Sequence, residues 1–264
     1  MPTTLDDILA VTRRRIAALR PQAADLERRA AAAPPPRPFP PPLSATVGVV
    51  AEVKRRSPSQ GVIHANLDPV AHALAYERGG AQAVSVLTDE PHFGGSLDDL
   101  ARVAAVVGIP VLRKDFMLDE LQIVEARAGG ASAVLLIVRA LPDSRLRALA
   151  AAAREAGLAT LVEVHSRPEL DRALAAAVQP DAVGVNARDL GTFVVDLPGA
   201  EAVIAAVPAG TPVVAESGVE RRGDVERLAA AGADFVLVGT SVARRDDPEG
   251  AVRALVGVSR RGRQ

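Results

Sequence analysis

From residue 47 onward the chain repeats one alternation: a short β-branched, apolar run, then a longer stretch rich in alanine, leucine and arginine. The runs are "VGVVAEVK", "AVSVLTD", "PVLRKDF", "AVLLIV", "ATLVEVH", "AVGVNARD", "PVVAESG" and "FVLVGTS". Several follow "GGA", "GG", "AG" or "AGAD", with glycine where a helix closes. Strands alternating with helices predict right-handed βαβ units and a parallel sheet. Eight units in roughly 200 residues fit an α/β fold of the closed (β/α)8 TIM-barrel type. The competing open, doubly wound sheet lacks support, because no G-x-G-x-x-G follows the first run.

The ends break this rhythm. "TTLDDILAVTRRRIAALR" carries Leu5, Ile8, Leu9, Ile16 and Leu19 at helical spacing, with an acidic start and a basic end, and predicts an amphipathic helix. "AAAPPPRPFPPPL" cannot continue it, since consecutive prolines lack amide donors and hold extended geometry. A stiff connector laid on the surface is expected there. The division is therefore 1–46 for an N-terminal helix and proline-rich connector packing on the barrel, 47–257 for the catalytic barrel, and 258–264 for an arginine-rich tail expected to be unordered.

Composition narrows the partners. An apolar content of 48% supplies a large core, and a net charge of −1 with mixed signs offers no broad basic face for nucleic acid and no polybasic membrane anchor. Runs such as "AVLLIV" are far too short to span a bilayer, and the acidic start is unlike a secretory signal. Cysteine is absent, which removes disulfides and thiolate chemistry. A cytoplasmic protein acting on a small molecule is expected, with neither nucleic acid nor membrane as partner.

Chemistry gathers at the ends of the runs, where a barrel of this type builds its site. Reading off the terminal residues gives Glu52 and Lys54, Lys114, Glu163, Asn186 with Arg188, Glu216 with Ser217, and Gly239 with Thr240. Residues two apart in a strand share a side, so each pair should face the barrel mouth. Among 31 lysines and arginines only Lys54 and Lys114 are lysines, and both fall at strand ends. A lysine can give up and regain a proton, whereas a guanidinium stays charged. "AESGV" and "VGTSV" place small residues and glycine after the last two strands, a common location for a phosphate cradle. His64, His72, His92 and His165 show no metal-ligand spacing beside a carboxylate; they are expected to be structural or surface residues, and no metal is expected.

In this order, "AEVKRRSPSQG", "VSVLTDEPHFGGSL", "PVLRKDFMLD", "LVEVH", "GVNARDLGTF", "VVAESGV" and "FVLVGTS" resemble the indole-3-glycerol phosphate synthases of tryptophan biosynthesis. The resemblance implies a lyase that closes the ring of 1-(2-carboxyphenylamino)-1-deoxyribulose 5-phosphate to indole-3-glycerol phosphate, with loss of carbon dioxide and water and without redox cofactor or metal. It implies Lys114 as the general acid, Glu163 as its acid/base partner, and Lys54 as the contact for the substrate carboxylate and an acid in dehydration. Glu52, Asn186, Arg188 and Glu216 are the implied orienting ring. Ser57, Ser217, Gly218, Gly239 and Thr240 match phosphate-binding positions, while Pro58, Phe93, Leu112, Phe116, Leu135 and Leu190 are implied walls for the aromatic ring. Monomer and homodimer both stay open.

Three departures accompany the resemblance. "PFPPPLSATVG" replaces a region in which the family commonly has a short helix that helps cover the site. Ala187 stands where asparagine or serine is frequent, and arginines follow Lys54 where smaller residues are common; both are expected to point outward. A non-catalytic phosphosugar-binding barrel is the alternative, disfavoured because a pure binder needs charge but no titratable lysines. A phosphoribosylanthranilate isomerase-like barrel would need a cysteine.

Overall fold

In the computed structural model, which describes residues 4–176 and 178–263, each of the eight runs becomes a strand. They are β1 (Gly48–Val53), β2 (Ala83–Leu87), β3 (Val111–Lys114), β4 (Ala133–Ile137), β5 (Ala159–Val164), β6 (Ala182–Asn186), β7 (Val213–Glu216) and β8 (Phe235–Val238). Each pairs in parallel with its sequence neighbours, and β8 pairs with β1 to close the barrel. Helices return the chain outside, and short polar side chains start many of them. Asp68 caps α3 (Pro69–Arg78), Ser96 caps α5 (Leu97–Val106), Asp119 caps α6 (Glu120–Ala128) and Ser166 caps α8 (Arg167–Ala175). Each satisfies amide groups that the first helical turn leaves without partners.

The period of two sorts every strand into an inside and an outside. Inward positions are apolar low in the barrel and polar at the carboxyl end: Val50 then Glu52, Leu112 then Lys114, Leu161 then Glu163, Val214 then Glu216. The lower residues, with Ala83, Ala133, Ala182 and Phe235, form one buried cluster inside the barrel. Outward residues such as Val49, Val84, Val134, Val162 and Val236 bury against the helices in a second cluster.

The N-terminal segment is more extensive than expected. The foreseen helix is α1 (Leu5–Leu19), started by a reciprocal capping box between Thr4 and Asp7. After a turn at Arg20–Gln22 a second helix follows, α2 (Ala23–Ala32), packing on α6. Pro21 lies in the first turn of that segment, where its missing amide costs nothing, so it bends the path without ending helicity. The proline-rich connector then runs to the floor of the barrel rather than lying wholly on the surface. Phe39, 5% exposed, joins the interior cluster, beside Ser132, Ala159, Thr160 and Asp181 at the amino ends of β4, β5 and β6. The arginine-rich tail expected to be unordered is paired over 258–263: Val258 accepts the Val47 amide at 2.8 Å, and Arg260 and Arg263 reach buried Asp234 at 2.8 and 3.1 Å. Gln264 lies outside the described residues.

Behind β3 sits a charged knot. Arg113, fully buried, donates to Asp115 Oδ2 at 3.0 Å, Glu125 Oε2 at 2.7 Å and the Gln122 carbonyl at 2.8 Å. Arg15 of α1 reaches the same Asp115 oxygen at 2.6 Å, and Asp115 Oδ1 accepts the Phe116 amide at 2.8 Å. Burial works to raise the Asp115 pKa, but Arg113 and Arg15 prevail and hold it below its ordinary 3.8. A depressed carboxyl stabilises fully above its unfolded pKa and loses that contribution as pH falls through the folded value. Asp115→Ala is expected to cost about 3 kcal/mol at neutral pH in urea unfolding, because it leaves the buried Arg113 with Glu125 as its one carboxylate and takes away the partner of Arg15. The gap between variant and parent should shrink as pH drops below 3.8.

Candidate active site

The carboxyl ends of the strands open into a cavity of about 690 Å³. Every residue expected at the mouth lines it except Leu112. That side chain is fully buried in the barrel interior, because it stands one inward position below Lys114 and so packs under the site rather than beside a ligand.

The centre is an ammonium between two carboxylates. Lys114 Nζ is 2.8 Å from Glu163 Oε2 and 3.0 Å from Glu216 Oε2, with the lysine 12% exposed and the two acids nearly fully buried. Burial alone would lower the lysine pKa, yet Glu163, Glu216 and Glu52 outweigh it, and Lys114 is raised above 10.5. The acids are not equivalent. Burial pushes Glu163 up, but Lys114, His165 and the nearby Asn186 side chain hold it below its ordinary value. Glu216 receives less compensation: burial and the charges of Glu163 and Glu52 push it up to about 8. The site therefore sets its two acids apart, Glu163 held toward the carboxylate form and Glu216 toward the protonated one. A second pair, Lys54 Nζ to Glu52 Oε1 at 2.6 Å, stands on β1 and just beyond it.

Two glycines make room for these groups. A Cβ on Gly184 would overlap Glu216 Oε1, and one on Gly239 would overlap Glu52 Oε1 and Lys54 Nζ. Gly184 interrupts the β-branched run "AVGVN", and such an interruption signals close approach by a neighbouring group.

The opposite rim suits an anion. Ser217 and Gly218 follow β7 with φ of +67° and +81°. Ser217 is not glycine, so the surroundings must hold it in this left-handed conformation. Its Oγ donates to Asn186 Oδ1 at 2.9 Å, and the same oxygen accepts the Arg188 amide at 3.0 Å. Beside them begins the one-turn helix α11 (Thr240–Ala243), whose first amides have no partner within the helix. Ser57 lines the cavity close by, as do Arg244 and Arg245, which sequence reasoning did not single out. They follow that helix in the charged stretch "ARRDD", which reads like the solvated loops elsewhere in the chain, so no local signal marked them. Phe93 and Phe116 form an apolar wall, with ring centroids 6.4 Å apart. Phe93 is presented by the single turn α4 (Glu90–Phe93), capped by buried Asp89.

None of the four histidines, expected to be structural or on the surface, lines the cavity, and one is buried directly behind it. His165 is 3% exposed, with Nε2 3.3 Å from Glu163 Oε1.

Comparison with known proteins fits this arrangement. Residues 5–255 match the family model described as indole-3-glycerol phosphate synthase. An indole-3-glycerol phosphate synthase of Nocardioides sp. is 47% identical over 259 residues, covering 97% of this chain and 99% of the relative. The enzyme of the same name from Koribacter versatilis is also 47% identical, over 262 residues, covering 97% of this chain and all of the relative. Among solved structures, a 3-hexulose-6-phosphate synthase superimposes with a TM-score of 0.63 at 18% identity over 79% of this chain and 98% of its own, a likeness of fold alone.

The contact between Gly184 and Glu216 can be tested by a double-mutant cycle in urea. Gly184→Ala is expected to cost about 1–3 kcal/mol by overpacking. Adding Glu216→Ala should relieve that cost, giving a coupling of about 1 kcal/mol or more.

Proposed function

The chain belongs to the indole-3-glycerol phosphate synthase family, and from that premise we propose how its mouth carries out ring closure of 1-(2-carboxyphenylamino)-1-deoxyribulose 5-phosphate. The substrate's phosphate lies at the rim formed by Ser57, Ser217, Gly218, Gly239 and Thr240. Its aromatic ring rests among Pro58, Phe93, Phe116, Leu135 and Leu190, and its carboxylate meets Lys54. Arg188 adds balancing charge, and Glu52 and Asn186 orient the amines and the substrate hydroxyls.

The ring carbon bearing the carboxylate attacks the ketone carbon, and Lys114 Nζ gives a proton to the ketone oxygen as charge develops there. Carbon dioxide leaves, and the electrons of the broken bond restore the aromatic ring. The new hydroxyl then leaves as water with a proton from Lys54, pushed out by the ring nitrogen. Glu163 takes a proton from the neighbouring methylene to complete the indole. Two protons are supplied and one is recovered, so each turnover takes up one proton, as the loss of a carboxylate as neutral carbon dioxide requires.

The observation that carries this reading is the placement of Lys114 Nζ within 3.0 Å of both Glu163 and Glu216 at the cavity floor. The raised pKa of free Lys114 keeps the proton in place until a nascent alkoxide, a much stronger base than the ketone, demands it. Positioned acid/base groups of this kind typically contribute about 10²–10⁴ in rate. No helix among the described residues is long and apolar enough to cross a membrane, and with a small phosphorylated substrate this supports a cytoplasmic location.

Lys114→Arg keeps the charge and removes the transferable proton. It is expected to retain much of the substrate binding while turnover, followed by indole absorbance, falls by about 10²-fold or more. Near-normal turnover in that variant would defeat the acid role of Lys114.

A further inference from the structure

Lys114 pairs with only one of the two oxygens of Glu163. The other, Oε1, faces His165, whose Nε2 stands 3.3 Å away. This histidine lies outside the cavity lining, behind Glu163, with its side chain 3% exposed. Its other ring nitrogen, Nδ1, is 3.2 Å from Glu169 Oε2, and that same oxygen accepts the His165 amide at 2.8 Å. Glu169 is itself fixed from the far side by Arg139 Nε at 2.7 Å, and Arg139 is held by Asp189 Oδ2 at 2.6 Å. Asp189 directly follows Arg188 of the cavity wall.

Signs alternate along this line, from Asp189 through Arg139, Glu169, His165 and Glu163 to Lys114. A neutral imidazole has one N–H and one lone pair, so it would turn the lone pair on one of its two carboxylate neighbours. Only the doubly protonated ring presents an N–H toward both. Nε2 is not aligned for a good hydrogen bond to Oε1, so its action on Glu163 is mainly that of a nearby positive charge.

We propose that His165, clamped by Glu169, is a positioning residue that acts as an imidazolium to orient Glu163 and hold it as a carboxylate, leaving the mobile proton of the site on Lys114. This rests on the reading of Glu163 as the acid/base partner of Lys114. The groups facing the ring are Glu163 from the end of β5, Glu169 from α8 and Arg139 from the turn after β4, with Lys114 of β3 beyond Glu163. Burial lowers the His165 pKa and Arg139 works in the same direction, but the two carboxylates outweigh them and raise it. His165 in turn is among the groups that hold Glu163 down. In the sequence this role is barely visible, because a histidine two residues past a strand-end glutamate reads equally well as the first residue of a loop.

The test is the pH profile of turnover in the full-length enzyme, measured by indole absorbance between about pH 3.5 and 9, which takes in the Glu163 limb below 4.5 as well as the range where histidine charge matters. His165→Asn keeps a short amide in place of the ring and removes the charge. An opposite charge at such range lowers a carboxyl pKa by about 1–3 units, so its loss should move the acidic limb of kcat upward by about one unit or more. On that limb turnover should fall about tenfold, with KM for the substrate changed less than about twofold, since His165 does not touch the ligand. Glu169→Gln should move the limb in the same direction and carries the test alone if His165→Asn does not fold. A profile that keeps its shape, whether unchanged or lowered by one factor at every pH, would overturn the proposal. Glu163→Gln separates the two levels: near-normal turnover there ends the reading of Glu163 itself. An inactive Glu163→Gln beside an unshifted His165→Asn and Glu169→Gln removes only the role of His165.

Discussion

An ammonium ion that is 12% exposed must be matched by anions, and this requirement organises the mouth of the barrel. Lys114 answers it with two carboxylates, Glu163 at 2.8 Å and Glu216 at 3.0 Å. Two buried acids around one cation cannot both ionise cheaply, so their environments separate them. Glu163, also facing His165, is held below its ordinary pKa, and burial beside Glu163 and Glu52 pushes Glu216 up to about 8. The division leaves one carboxylate free to act as a base without stripping Lys114 of its proton.

Packing around this centre follows from the same requirement. The Glu216 carboxylate lies where a side chain on β6 would stand, and the sequence supplies Gly184. The Lys54–Glu52 pair occupies space that any residue larger than Gly239 would fill. On the outward side of β3 the chain repeats the solution in structural form: Arg113 is buried against Asp115 and Glu125. Because Lys114 lies between Arg113 and Asp115, that knot fixes the backbone from which the ammonium projects. Asp115 also holds the Phe116 amide, so one carboxylate sets both the catalytic strand and the aromatic wall. Through Arg15 the same knot ties α1 to the barrel.

Much of this was legible in the sequence, for physical reasons. Parallel strands buried on both faces must be apolar runs, so the eight strands stood out, and a charge at the end of such a run has few places to point except the mouth. Lys114, Glu163, Glu216 and the Lys54–Glu52 pair were found that way. Leu112, which the resemblance implied as a wall of the aromatic ring, packs one inward position lower, inside the barrel. The helix α2 was overlooked because its alanines merge into the proline-rich stretch that follows. The tail of 258–263 read as polar and unordered because its partner, Asp234, lies distant in sequence and is buried. The facing of His165 and Glu163 likewise depends on how the chain turns after β5, which no spacing rule specifies.

Lys114 is pinned as an ammonium by the acids around it, and that state can be read directly. The chain has only two lysines, so selective 15N labelling of lysine side chains gives two NMR signals, and the one lost in Lys114→Arg belongs to Lys114. This signal should keep its ammonium shift through pH 10.5, the ordinary lysine value. A Lys114 signal that converts to the neutral amine below that pH would contradict it.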